Sequence, residues 1–221
     1  MKNYSKFGPI FLSIVFSICL APKLFADEPG ASSQTSVSNP NRSEERFFRR
    51  IIFEGSFANA GYEGDHSSRY SRPNGYSAGI LFDLLGNGGM VLETGALYRQ
   101  FGTTYNNGLS ENDFTANYIS VPLDLKYYFN GQESTSVFIK AGVMGSTLIS
   151  DNTMYSTPTT QIGAKSWETD FLVGGGFKFN LSTSTDLLIE VDYSRSIDSV
   201  MNAVSLYRSD LSAALGLALN L

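Results

Sequence analysis

The chain carries a single histidine, His66, flanked by Asp65, Ser67 and Ser68. These are the residue types of nucleophilic hydrolysis. Such chemistry needs nucleophile, base and orienting acid to converge in space, which adjacency along the chain does not supply. A membrane-embedded enzyme hydrolysing lipid or peptide would have to work through His66 alone. That residue falls in a polar stretch, so it reads as a solvated loop histidine and no catalytic residue is assigned. Glu63, Asp65, Glu111, Asp113 and Asp151 could offer oxygen to calcium, yet none lies in a run with the spaced ligands of a calcium loop. No metal site is assigned. Gly174-Gly175-Gly176 lacks the following Lys and Ser/Thr of a phosphate-cradling loop and sits within an alternating segment, which implies a bend or close strand packing. No cofactor is expected.

More informative are charges placed at every second position of otherwise apolar segments. Ile119, Val121, Leu123, Leu125, Tyr127 and Phe129 alternate with Ser120, Asp124 and Lys126. Val137, Ile139, Ala141 and Val143 oppose Lys140 and Ser146. Leu187, Ile189, Val191 and Tyr193 oppose Glu190, Asp192 and Ser194, and Leu211 to Leu221 oppose Ser212, Gly216 and Asn220. A period of two is the strand period. It recurs in eight segments: RIIFEGSFAN, GYSAGILFDLL, MVLETGALYRQF, NYISVPLDLKYYF, SVFIKAGVMGSTLI, WETDFLVGGGFKFNL, TDLLIEVDYSRSI and YRSDLSAALGLALNL. Several match the roughly 9 to 11 residues that a tilted strand needs to cross a bilayer.

The connections alternate in length. Gly86 to Gly89, Asn130 to Ser134 and Ser182 to Ser184 are short, with Gly and Asn suited to tight turns. Ala60 to Asn74, Gly102 to Ala116, Ser150 to Ser166 and Ile197 to Leu206 are long and polar. Short turns on one side and long loops on the other predict an all-β fold, an eight-stranded antiparallel up-and-down transmembrane β-barrel with both termini in the periplasm. An apolar face can meet lipid only if the charged face is inside. Glu54, Asp83, Glu93, Arg99, Asp124, Lys126, Lys140, Asp170, Lys178, Glu190 and Asp192 are therefore expected in the lumen. Eight strands leave an interior just wide enough for side chains, so a near-completely paired charge network should act as a plug. Tyr98, Tyr105, Tyr127, Tyr128, Phe129 and Trp167 are expected in aromatic girdles at the headgroup level.

Composition agrees with a barrel wall: 21 Gly, 12 Tyr and 16 Phe among 221 residues, without a long apolar helix. Lys2 and Lys6, the apolar run Ile10 to Leu20, Pro22 and Ala26 follow the order of a secretory signal peptide, predicting cleavage after residue 26. Processing there removes the sole cysteine, Cys19, and excludes disulfides. It also removes three lysines and no acid, leaving 13 bases against 21 acids. So acidic a chain repels phosphate backbones, and nucleic acid is excluded as a partner. Residues 27–46, rich in Ser, Pro and Asn, read as a disordered periplasmic linker, and 47–221 as the barrel domain.

Tyr-Ile-Ser-Val-Pro-Leu-Asp-Leu-Lys-Tyr-Tyr-Phe at Tyr118 to Phe129, followed by a short turn and VFIKAGVMGS, resembles the PorT-like outer-membrane β-barrel family. DFLVGGGFKFNL with LLIEVDYSRSI is similar to that family's closing half. The resemblance spans roughly Arg50 to Leu221 and implies fold and outer-membrane location without implying a mechanism. The expected partners are outer-membrane lipid and, through the loops, another envelope protein or an external ligand, with the barrel a monomer. The favoured role is structural or partner-binding. The alternatives are a narrow, porin-like pore for small solutes, a membrane-embedded hydrolase, and a soluble ligand-binding barrel, which would need an apolar interior.

Overall fold

The computed structural model describes residues 48–64, 67–70, 74–87, 89–106, 111–130, 135–152, 154–157, 160–202 and 205–221. The signal peptide and linker expected at 1–46 lie outside these residues, as do Asp65 and His66.

Eight long strands form the wall. They are β1 (Arg50–Gly64), β2 (Asn74–Asn87), β3 (Met90–Asn106), β4 (Glu111–Tyr128), β5 (Ser136–Asp151), β8 (Trp167–Asn180), β9 (Thr185–Ser196) and β10 (Leu206–Asn220). Each pairs antiparallel with its neighbours, and β1 closes on β10 from Arg50 opposite Asn220 to Gly64 opposite Leu206. Closure satisfies every edge, which a sheet in hydrocarbon requires. A small hairpin, β6 (Met154–Thr157) with β7 (Thr160–Ile162), stands within the third long connection.

The faces follow the period-two pattern. Phe53, Phe57, Ile80, Leu125, Ile139, Phe177, Val191, Leu211 and Leu215 point outward and are exposed. The residues before and after each of them along the strand point inward and are buried or half-buried. At the short-turn end Tyr127 meets Phe129 edge-on at 5.2 Å, and Phe177 stacks on Phe179 at 6.2 Å. Toward the long-loop end Tyr76 lies 6.2 Å from Tyr98, whose hydroxyl donates to Asn117 Oδ1 at 2.7 Å. These are the positions of two girdles. Tyr128 does not belong to them. It is fully buried, with its ring 5.1 Å from Phe138 and beneath Arg50 at 5.0 Å. Its neighbour Tyr127 faces out, and alternation sends consecutive residues to opposite faces. The side chain of Tyr105 lies outside the described residues.

The strands run further than alternation alone indicates. β3 and β4 continue through Asn106 and from Glu111, so most of the stretch Gly102 to Ala116 is paired backbone rather than open loop. β1 likewise continues past Ala60 to Gly64. Ladder hydrogen bonds persist there whatever the side chains, while both faces approach water and the apolar half of the pattern fades. The β2–β3 connection tightens to two residues between Asn87 and Met90. Gly89 takes φ of 98° there, a value open to glycine and costly for a residue with a Cβ. Gly174 to Gly176 lie within unbroken β8 and pair closely with both β5 and β9, with no break in the strand.

Candidate functional site

All eleven charged residues expected inside are inside and buried, and five more join them: Arg50, Glu168, Asp186, Arg208 and Asp210. The additional five share the inward parity of their strands. They stand near segment ends, where few apolar partners mark the parity, and extending the alternation by two or four residues finds them.

The ion pairs form three tiers. Near the short-turn end Arg50 meets Asp83 at 2.8 Å and Asp186 at 3.6 Å, and Lys178 approaches Asp186 at 3.7 Å. In the middle Lys126 bridges Glu93 at 2.6 Å and Glu190 at 3.0 Å, while Lys140 joins Glu190 to Asp192, the latter at 2.9 Å. Toward the long-loop end Arg99 holds Asp170 at 2.9 Å and Asp210 at 3.3 Å. Arg208 contacts Glu168, Asp170 and Asp210 at 3.1, 3.3 and 3.0 Å. Its guanidinium lies 3.8 Å from the Phe101 ring centre, and Glu168 also accepts from the Tyr118 hydroxyl at 2.5 Å. Bases from β1, β3, β4, β5, β8 and β10 thus reach acids on other strands and stitch the wall across its lumen.

Pairing is incomplete, which corrects the expectation from sequence. Ten buried acids share the lumen with six buried bases. Glu54 and Asp124 make no ion pair among the described residues, and Glu54 Oε2 and Asp124 Oδ1 have no hydrogen-bond partner. The pattern predicted which side chains point inward but not how many acids each base can serve. Both carboxylates line a cavity of about 50 Å³ between the middle and upper tiers, together with Asp192, Asp210, Arg99 and Lys140.

Apolar side chains divide the charged column and close its long-loop end. Ile52, Leu81, Val91, Tyr128, Phe138 and Leu188 pack as one buried layer, which separates the short-turn tier from the middle one, since Ile52 stands between Arg50 and Glu54 on β1 and Leu188 between Asp186 and Glu190 on β9. At the long-loop end Tyr70, Phe101, Phe114, Tyr118, Val200, Met201 and Leu206 form a second. Loop residues complete the second layer because loops three and four pair across it. Ala164 bridges Met201, Lys165 N donates to Val200 O at 3.0 Å, and Asn202 Nδ2 donates to Ala164 O at 2.8 Å. Among the acids weighed for calcium, Asp151 accepts from Ala164 N at 2.9 Å, Asp113 accepts from Thr104 Oγ1 at 3.0 Å, and Glu63 pairs with Arg195 at 2.8 Å on the exposed face. Local partners account for all three. The side chain of Glu111 lies outside the described residues.

A closed eight-stranded wall with a lipid-facing exterior and a charged interior is the geometry that the comparisons meet. The family model described as outer membrane protein beta-barrel domain matches residues 34–202. The chain belongs to this family. Its bacterial outer-membrane location follows from that membership. Among solved structures the barrel is similar to the outer membrane protein OprG from Pseudomonas aeruginosa, at 13% identity and a TM-score of 0.53, covering 78% of this chain and 96% of that one. Neisserial surface protein A matches at 16% identity and a TM-score of 0.46, over 75% of this chain and 95% of that one. The outer membrane enzyme PagL matches at 12% identity and 0.42, over 75% and 97%. At such identities the likeness concerns the fold alone. No curated protein matches the sequence.

Proposed function

We propose that the protein is a closed, non-conducting and non-catalytic barrel of the bacterial outer membrane that acts through its long external loops, as a structural element or as the receptor of an envelope protein or external ligand. The observation that carries the reading is the burial of the luminal charges. Asp83, Glu93, Lys126 and Lys178 are 0% exposed. A continuous water path would have to wet them, so the interior is built as a brace rather than a conduit. The loops paired across the outer end supply the surface left for recognition, and conserved architecture with variable loops is how such scaffolds carry diverse functions.

The PorT-like motif at Tyr118 to Phe129 supports placing the chain in that group of the barrel family. The order of charged, apolar and small residues before Asp27 supports export with cleavage there, which would leave an exported protein beginning at Asp27. Planar-bilayer recording tests the central claim. The purified barrel is expected to give no stable current steps, and reproducible channels of uniform conductance would overturn it. Replacing the β6–β7 hairpin with a short Gly-Ser turn is expected to leave the barrel folded while removing crosslinks to its partner on intact cells. Unchanged crosslinks would refute loop-mediated binding.

A further inference from the structure

Every base in the described wall strands points into the lumen except Arg195, whose side chain is 53% exposed on the outer face. It stands at the long-loop end of β9, where the outward residues Ile189, Val191 and Tyr193 lead up to it. On β10 the outward series passes in the same way from Leu215 and Leu211 to Ser209, the register partner of Arg195. A change from apolar to polar outward residues on adjacent strands marks the headgroup level of a bilayer. Arg195 reaches past β10, which offers only the small Ser209 opposite it, to Glu63 on β1 at 2.8 Å, and Glu63 is itself 58% exposed. Beside this pair lies a groove of about 430 Å³ walled by Phe171, Tyr193, Ile197 and Tyr207, with Arg195 in its lining. The groove is preformed, since Ile197 N donates to Thr169 O at 2.8 Å and so ties the loop-side wall to the sheet. Its volume lies within the roughly 300–1,000 Å³ of clefts that take small ligands.

We infer that this groove receives the headgroup of a phospholipid bearing phosphoethanolamine, with the phosphate against Arg195 and the primary ammonium against Glu63. The occupant is a lipid because the groove opens on the face that an outer-membrane barrel turns to the bilayer. Its headgroup follows from the charges. An exposed ion pair is weak and readily shared. The Arg195 guanidinium spends one nitrogen on Glu63, and its fork of N–H donors suits a phosphate with the remainder. Glu63 repels a purely anionic headgroup but offers a counter-charge to an ammonium a few ångströms from the phosphate. A primary ammonium donates hydrogen bonds to that carboxylate, whereas a quaternary one has no N–H to give. Tyr193 and Tyr207 present the apolar body and polar tip that suit this depth, and an aromatic face attracts a nearby cation. The site lies on the outer wall and is independent of what the long loops bind.

The test is native mass spectrometry of the refolded barrel released from detergent micelles that hold equimolar phosphatidylethanolamine, phosphatidylcholine and phosphatidylglycerol with identical acyl chains. The phosphatidylethanolamine adduct of the wild-type barrel is expected to exceed each of the others by roughly fivefold, the scale of two shared surface ion pairs. Glu63→Gln is expected to bring it down to the level of phosphatidylcholine, and Arg195→Gln to reduce it as well. The wild-type ratio needs no variant to fold. Equal adducts of the three lipids would overturn the proposal and leave unselective boundary lipid only. An excess of phosphatidylglycerol would overturn it by assigning recognition to Arg195 alone. A phosphatidylethanolamine preference that survives both substitutions would overturn it by placing the lipid elsewhere on the wall.

Discussion

Arg208 is the most connected base in the lumen, and its removal should be the most damaging single change there. Its side chain is 3% exposed and reaches Glu168, Asp170 and Asp210 while lying over Phe101. Arg208→Met preserves length and apolar packing. It leaves Glu168 with the Tyr118 hydroxyl alone, and Asp170 and Asp210 sharing Arg99. Breaking a buried pair from one side costs about 3–5 kcal/mol, because the cost is that of the uncompensated charge left behind. Removing the stranded partner as well should return much of this, so Arg208→Met with Glu168→Gln is expected to recover about 1–3 kcal/mol relative to the sum of the single changes. The assay is urea unfolding of the barrel refolded in lipid vesicles, followed by fluorescence of Trp167, the sole tryptophan, which stands next to Glu168 in β8. An Arg208→Met barrel within about 1 kcal/mol of wild type would mean that water already solvates these carboxylates. That result would refute the closed-plug reasoning.

Other perturbations separate the faces of the wall. Leu215 is 60% exposed on the lipid side; Leu215→Arg should cost about 2–4 kcal/mol in vesicle-based urea unfolding if that face lies in hydrocarbon, and a neutral outcome would argue against membrane contact there. The exposed Arg195–Glu63 pair predicts the opposite, with Arg195→Ala shifting stability by under about 1 kcal/mol and less still at high salt. At Gly176 the Ile189 carbonyl oxygen occupies the space of an added Cβ. Gly176→Ala must therefore push two backbones apart and should cost about 1–3 kcal/mol, read as a lower urea midpoint; an unchanged midpoint would show that the β8–β9 approach is looser than described.

The two faces were legible in sequence because side-chain direction in a strand depends on parity alone. Leu187, Ile189 and Val191 must share a side, and Glu190 must take the other, whatever the rest of the chain does. The same rule misplaces a residue wherever chemistry is read without parity. Tyr128 resembles its neighbours Tyr127 and Phe129 in type, yet it belongs to the interior. Strand ends were less legible: β3 and β4 stay paired from Gly102 opposite Thr115 to Asn106 opposite Glu111, where mostly polar residues erase the alternation that reveals a strand while backbone pairing continues.

Strand number, the sidedness of the turns and the inward set of charges were thus written locally, in period and turn chemistry. Which charge meets which was not. Arg99 on β3 and Asp210 on β10 are 111 positions apart and meet only because the sheet closes on itself. Closure, register and tilt decide which strands face across the lumen, and the width of the barrel decides how many acids one base can reach. For that reason Glu54 and Asp124, indistinguishable in sequence from their paired neighbours, are set apart only by the tertiary structure.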